Sequence, residues 1–211
     1  MTFVKICGIT NIEDALAAVD AGADALGFNF FPRSRRYIDP AQAKTIIQKL
    51  ASNVLTVGVF VNEDSPDTVD RIASETGVKA LQLHGDESPE FCGSLSHYYL
   101  IKVLALGPDC DIQSVLHYDV DAFMVDAFDR ASRGGTGRVV DWSIAREVRR
   151  LVPRLFLAGG LSVDNVTEGI AVVEPYGVDA CSSLELSPGK KDSNKMRAFV
   201  AAVRAAQLSK D

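Results

Sequence analysis

Two residues of the 211-residue chain could form an acid–base pair, Cys7 and Asp126, because each directly follows a short apolar segment. A thiol with an ordinary pKa of about 8.5 is a weak base at neutral pH unless a nearby positive charge favours its thiolate. Lys5 lies two residues before Cys7 and therefore on the same side of an extended strand. We predict that its ammonium lowers the pKa of Cys7. Considered alone, a lone cysteine favours a buried structural thiol over a base, and Asp126 equally suits a helix cap or a salt bridge.

Small residues follow the last two strand-like segments. Gly159 and Gly160 lie after the first of these segments, and Ser182 and Ser183 after the second. Glycine lets backbone N–H groups approach an anion closely, and serine hydroxyls add further donors. We interpret Gly159, Gly160, Ser182 and Ser183 as a phosphate-binding site.

Three further features are candidates for binding a substrate. Arg33, Arg35 and Arg36 follow the second strand-like segment, where one guanidinium could hold a carboxylate with two parallel hydrogen bonds or all three could be solvated. His84 ends the fourth segment and suits an auxiliary role better than a catalytic one. The glycine-dense stretch 133–138 is either a loop that covers the substrate or a long turn.

The composition limits the classes of partner. The net charge is −6, and a nucleic-acid-binding protein would need a broad positive surface. Four cysteines without a CxxC pair or metal-ligand spacing favour free thiols in a reducing cytoplasm. We find no export signal and no apolar run long enough to span a membrane. The expected partner is a small phosphorylated molecule, not nucleic acid or membrane.

Eight short apolar segments alternate with segments of helical character, which predicts buried parallel strands separated by helices. We therefore predict a single-domain (β/α)8 TIM barrel over residues 1–211, with its active site at the C-terminal ends of the strands. An open doubly wound sheet is disfavoured because no GxGxxG motif follows the first segment. The predicted strands cover 3–7, 23–30, 54–61, 78–83, 100–104, 122–125, 155–158 and 178–181.

Local signals mark the ends of several predicted helices. A capping side chain directly precedes proline at Asp39, Ser65 and Ser88, which predicts three helix starts. Thr10 and Glu13 fit a capping box for the first helix.

A repeated phrase precedes alternate strands. It begins at Gly22, Gly77 and Gly177, with a version lacking the glycine at 119–123. We expect each glycine to end a helix in the left-handed conformation.

Seven phrases, taken in order, resemble the phosphoribosylanthranilate isomerase family over essentially the whole chain. Any one could occur by chance, but the set in this order and spacing is specific. The phrases lie at 5–10, 32–38, 57–62, 81–85, 134–137, 158–161 and 188–192.

This resemblance implies an aldose–ketose isomerase that carries out an Amadori rearrangement in tryptophan biosynthesis. The residue matching Asp126 would be the general acid that opens the sugar ring, and the residue matching Cys7 the general base. Arg36 would hold the anthranilate carboxylate, and neither a metal nor an organic cofactor would take part. The sequence does not distinguish a monomer from a homodimer.

The chain departs from the family pattern in the predicted phosphate site. Ala158 stands where the family often has serine, so one hydroxyl is absent. Ser183 stands where the family tends to have glycine, and its side chain would either crowd the anion or donate to it.

Other functions remain as alternatives. Another sugar-phosphate isomerase or epimerase, or an indole-forming synthase, would want metal-binding histidines or a lysine–glutamate pair, for which His84 and Lys102 are the candidates. A bifunctional isomerase would pair two aspartates, and Cys7 occupies the place of the first. A non-catalytic barrel that binds a phosphorylated metabolite would require neither Cys7 nor Asp126.

Overall fold

The computed structural model describes residues 1–107, 110–127 and 140–208, which contain eight parallel strands closed into one barrel. The strands follow one another around the ring in chain order, and β8 pairs with β1. The predicted TIM barrel is thus confirmed. The strands are β1 (Phe3–Cys7), β2 (Ala25–Asn29), β3 (Leu55–Phe60), β4 (Ala80–Leu83), β5 (Tyr99–Leu106), β6 (Ala122–Ala127), β7 (Leu155–Leu157) and β8 (Gly177–Ala180).

Seven α-helices pack around the barrel in the described part of the chain, and a 3₁₀ helix (Ile112–His117) takes the fifth helix position. The helical segment expected at this position is thus present in the tighter 3₁₀ form, which suits a run of only six residues. The α-helices are α1 (Ile12–Asp20), α2 (Pro40–Ile47), α3 (Pro66–Thr76), α4 (Pro89–Gly93), α5 (Trp142–Leu151), α6 (Val166–Val173) and α7 (Ser193–Leu208).

A short hairpin that the sequence did not predict lies between β8 and α7. A 3₁₀ turn (Ser182–Leu184) leads from β8 into β9 (Glu185–Ser187), which pairs antiparallel with β10 (Lys190–Lys191). The hairpin therefore directly follows the predicted phosphate-binding serines.

The core has two layers. The larger layer lies between the strands and the helices, and the smaller one fills the barrel interior with side chains such as Val57, Ile101, Met124 and Phe156. Among the helices of the described ranges, none is long and apolar enough to cross a bilayer.

Three of the predicted helix starts are confirmed, since the side chains of Asp39, Ser65 and Ser88 each cap the following helix. The capping box was wrong. The side chain of Asn11, not Thr10, accepts from the backbone N–H of Asp14, at 2.8 Å. Thr10 instead donates its hydroxyl to the Gly189 carbonyl, so the β9–β10 hairpin engages the predicted cap.

Two of the three phrase-opening glycines are left-handed as predicted, Gly22 with φ 92° and Gly77 with φ 79°. The prediction was wrong for Gly177, which is the first residue of β8; Glu174, with φ 51°, ends α6 instead. A Cβ at Gly177 would lie 2.5 Å from the ring of Phe156. Glycine is needed at that position for close packing and not for its backbone conformation.

Candidate active site

Cys7 lies at the C-terminal end of β1, and its Sγ lies over Gly27 on β2. The two residues are directly opposite each other in the parallel register. A Cβ at Gly27 would lie 2.6 Å from Cys7 Sγ and 3.1 Å from Lys5 Nζ. The bare glycine therefore makes room for both side chains, which point to the same side of β1 as the sequence spacing predicts.

Lys5 forms a buried ion pair with Asp179 on β8. Its Nζ donates to Asp179 Oδ1 at 2.8 Å, and the lysine is fully buried. Burial lowers the pKa of Lys5, but the charges of Asp179 and Cys7 outweigh this effect and raise it above its ordinary value. Burial raises the pKa of Asp179 to about 7, although Lys5 opposes the rise. One ammonium therefore faces two acidic groups.

The Cys181 thiol has the largest effect on Cys7. Cys181 directly follows β8, and the residues before these two cysteines, Ile6 and Ala180, are partners in the β1–β8 register. A hydrogen bond from Cys181 lowers the pKa of Cys7, whereas burial raises this pKa. The ammonium of Lys5 adds to the lowering, so the pKa of Cys7 lies well below its ordinary value. The same hydrogen bond, together with burial, raises the pKa of Cys181. The cluster therefore favours the thiolate form of Cys7 over that of Cys181.

Asp126 lies on β6 between a histidine and a glycine turn. Its Oδ1 accepts from the backbone N–H of Ala127 at 2.8 Å, and its Oδ2 lies 3.4 Å from Nε2 of His84. A Cβ at Gly159 would lie 2.8 Å from the Ala127 nitrogen and 3.1 Å from Asp126 Oδ1. The turn after β7 thus approaches the carboxylate as closely as glycine permits.

The buried amide of Gln82 orients His84. Nδ1 of His84 lies 3.2 Å from Nε2 of Gln82, which is buried in the barrel. Because an amide nitrogen only donates, Nδ1 accepts in this arrangement and Nε2 carries the proton that faces Asp126. This geometry fits the predicted auxiliary role of His84.

The four predicted phosphate-binding residues and Asp126 line one cleft of about 360 Å³, including its space open to solvent. Gly159 and Gly160 are both left-handed, with φ 79° and 66°. Ser183 donates its hydroxyl to the Leu161 carbonyl and so joins the two turns, which leaves the Ser182 hydroxyl and backbone N–H groups as candidate anion donors. The 3₁₀ turn that begins at Ser182 contributes N–H groups without an intrahelical acceptor.

Arg36 is held by a carboxylate that the sequence analysis missed. Its Nε and Nη2 donate to the two carboxylate oxygens of Glu185, each at 2.8 Å. A Cβ at Gly8 would lie 2.7 Å from Arg36 Cδ, so the arginine stem lies beside the residue that follows Cys7. The guanidinium is thus close to the proposed base.

Lys102 takes no part in the cleft. Its Nζ donates to the carboxylate of Glu87 at 2.9 Å and to the Gly85 carbonyl at 2.7 Å, in a buried cluster that joins β5 to the loop after β4. Lys102 therefore does not reach the cleft, so the alternative of a catalytic lysine and glutamate has no lysine there. Within the described ranges, no three His, Cys, Asp or Glu side chains are grouped to hold a metal ion.

The cleft brings together most, but not all, of the predicted site. Cys7, Lys5, Arg36 and His84 do not line this cleft; Cys7 lies on β1, the strand next to the β8 end that carries Cys181. The predicted stretch 133–138 lies outside the described residues. Asp179 and Cys181 also line the cleft and were missed. Asp179 could have been suspected, because a charged residue in an apolar strand must be paired when it is buried.

Comparison with known proteins identifies the family to which the chain belongs. The model of the family described as N-(5'phosphoribosyl)anthranilate (PRA) isomerase matches residues 4–202. The chain belongs to this family. The resemblance drawn from the sequence phrases is therefore confirmed.

Individual relatives agree in sequence and in structure. N-(5'-phosphoribosyl)anthranilate isomerase of Geobacter sp. (strain M21) is 48% identical over 201 residues, covering 95% of this chain and 97% of its own. A solved phosphoribosyl anthranilate isomerase in complex with reduced 1-(o-carboxyphenylamino)-1-deoxyribulose 5-phosphate is 39% identical, with TM-score 0.87 over 97% of this chain and all of its own. Monomers generated from the dimeric enzyme of Thermotoga maritima are 38% identical, with the same TM-score and coverage.

Proposed function

We propose that this chain converts N-(5'-phosphoribosyl)anthranilate into 1-(o-carboxyphenylamino)-1-deoxyribulose 5-phosphate in tryptophan biosynthesis. One observation carries the proposal: a cysteine whose buried lysine neighbour favours its thiolate and a carboxyl group flank two turns suited to phosphate. In the closed ring, β7 and β8 with these turns lie between Asp126 on β6 and Cys7 on β1. A phosphate bound there would place the ribose between the two groups.

Asp126 starts the reaction as the general acid. It gives its proton to the ring oxygen, the bond between that oxygen and C1 of the sugar breaks, and the nitrogen lone pair forms a protonated Schiff base with C1. Nε2 of His84, which lies 3.4 Å from Asp126 Oδ2, then faces the carboxylate that Asp126 has become. His84 thus stabilises the charge that develops on the acid.

Cys7 completes the rearrangement as the general base. Its thiolate removes the proton from C2, and the C–H electrons form a C1–C2 double bond while the nitrogen becomes neutral. The resulting enolamine gains a proton at C1 and loses the C2 hydroxyl proton, which yields the ketone. The lowered pKa of Cys7 keeps the thiolate available at neutral pH.

The remaining residues hold the substrate. Gly159, Gly160, Ser182 and Ser183 form the proposed phosphate site, with Ser183 contributing its backbone because its hydroxyl donates to Leu161. Arg36 holds the anthranilate carboxylate through its charge and fork geometry.

Incubation of the purified chain with N-(5'-phosphoribosyl)anthranilate, without added metal or cofactor, tests the proposal. We expect the ketone product to form at a rate proportional to protein concentration. A protein that binds inorganic phosphate but gives no product would instead be a metabolite-binding barrel.

We also propose that the chain acts in the cytoplasm as a monomer or homodimer. All four cysteines are free thiols, which supports a reducing compartment. Analytical ultracentrifugation distinguishes the two assemblies, and a larger particle would contradict both.

A further inference from the structure

Glu185 occupies one of the two donor edges of Arg36. The hydrogen bonds to Nε and Nη2, each 2.8 Å long, use the side edge of the guanidinium. The planar group has a second edge, formed by Nη1 and the other Nη2 proton, that can bind another carboxylate through two parallel bonds. The ion pair therefore sets the direction in which this second edge points.

Glu185 is itself held in place by groups other than Arg36. Its carboxylate accepts from Nζ of Lys191 at 3.1 Å and from the backbone N–H of Gly189 at 3.3 Å, and only 4% of its side chain is exposed. The hairpin that carries it is anchored to α1, because Asp14 accepts from the backbone N–H of Lys191 at 2.7 Å. Glu185 is thus a fixed point against which Arg36 is aligned.

The stem of Arg36 is constrained as well. It lies against Gly8, where φ is 78° and a Cβ would be 2.7 Å from Arg36 Cδ. Its backbone N–H donates to the Ser34 hydroxyl at 3.1 Å. Burial raises the pKa of Glu185, but the positive charges of Arg36 and Lys191 outweigh the effect of burial. The pKa is therefore lowered overall, and the carboxylate stays ionised. Both ends of the arginine side chain are therefore fixed before substrate arrives.

We propose that Glu185 is a positioning residue for substrate specificity, which binds the Nε–Nη2 edge of Arg36 and so presents the other edge to the carboxylate on the substrate's aromatic ring. The inference rests on the proposed function, which supplies that carboxylate. A preoriented fork loses less conformational freedom on binding. A site built to pair a carboxylate also discriminates strongly against an analogue that lacks it. Glu185 acts through Arg36 and does not itself touch the reacting atoms.

Paired substrates test the proposal. We would measure kcat and KM for N-(5'-phosphoribosyl)anthranilate and for N-(5'-phosphoribosyl)aniline, which lacks the carboxylate, with Glu185→Gln and Glu185→Asp. Aspartate keeps a charge near Lys191 but is too short to pair both nitrogens of Arg36. In both variants we expect the preference for the carboxylated substrate to fall about tenfold to a hundredfold, mainly through KM.

The control is Glu75→Gln, which removes an exposed Arg–Glu pair on α3 with an N···O distance of 3.4 Å. It should leave the preference unchanged. Inorganic phosphate should bind each variant with unchanged affinity, which shows that the variants are folded. An equal loss of kcat/KM for both substrates, or no loss for either, overturns the inference.

Lack of turnover by the unchanged chain would count against the proposed function. In that case the inference is tested by measuring the affinity of each variant for two probes, reduced 1-(o-carboxyphenylamino)-1-deoxyribulose 5-phosphate and inorganic phosphate. Glu185→Gln should weaken binding of the first at least about tenfold and leave that of the second unchanged. Equal effects on both probes would overturn the inference.

Discussion

The reactivity of Cys7 depends on its neighbours and not on the thiol alone. The contribution of Lys5 could be predicted from sequence, because alternate residues of a strand share a side. The contribution of Cys181 could not, since it lies 174 positions away and becomes a neighbour only when β8 pairs with β1. Glu185 was missed for the same reason, because its contact with Arg36 spans 149 positions.

Removing the side chain of Lys5 or of Cys181 should raise the pKa of Cys7. The base is active above its pKa, so a raised pKa moves the acidic limb of the kcat/KM profile to higher pH. We expect this shift in Cys181→Ala and in Lys5→Met, measured by thiolate absorbance and by the pH–rate profile. Lys79→Met, which removes an exposed lysine, is the control and should shift neither. An unchanged thiolate titration in both test variants would refute this account of the base.

The strands and turns position the catalytic groups by close approach. The order of the strands and the residues at their C-terminal ends could be predicted from eight apolar segments and from local caps such as Ser65 and Ser88. The β9–β10 hairpin could not, because its two short strands carry no periodic pattern and are held by long-range contacts such as Thr10 with Gly189. The serines after β8 were predicted as donors, yet the structure uses the Ser183 hydroxyl to join two turns.

Gly27→Ala tests the close approach of β1 and β2. The new methyl group would lie 2.6 Å from Cys7 Sγ and must displace it. We expect kcat to fall about tenfold to a hundredfold and stability to fall by about 1–3 kcal/mol. Gly93→Ala on α4 is the matched control, because nothing lies within 4 Å of its Cβ position. A Gly27→Ala protein with unchanged kcat would show that the position of Cys7 is not critical.

Closure of the whole barrel places Lys5, Cys7 and Asp179 in one buried cluster. The closed fold could be predicted from the strand count and the family phrases, but the register that sets Lys5 opposite Asp179 could not. Such a cluster links the stability of the molecule to pH, because its groups titrate differently in the folded and unfolded chain.

Asp179→Asn should become more stable, relative to the unchanged chain, as pH rises from 5 to 8. The pKa of Asp179 is about 7 in the fold, above its ordinary 3.8, so the folded state binds this proton more tightly. The stability that protonation gives is complete at low pH and is lost as pH rises through about 7. Cys7, with its lowered pKa, acts in the opposite sense in both proteins. Loss of the Asp179 charge lowers the pKa of Cys7 further, which changes the difference in unfolding free energy between the two proteins in the same direction. Urea unfolding at several pH values measures this difference in the free energy of unfolding. A difference that does not change with pH would contradict the raised pKa of Asp179.

The central claim is that Cys7 and Asp126 act on one sugar held between them. Turnover of N-(5'-phosphoribosyl)anthranilate by Cys7→Ala and by Asp126→Asn, measured together with binding of the reduced product analogue, tests it most directly. We predict that each variant loses about a hundredfold to ten-thousandfold in kcat and keeps its affinity for the analogue within about tenfold. Either variant turning over at the rate of the unchanged chain would contradict the claim.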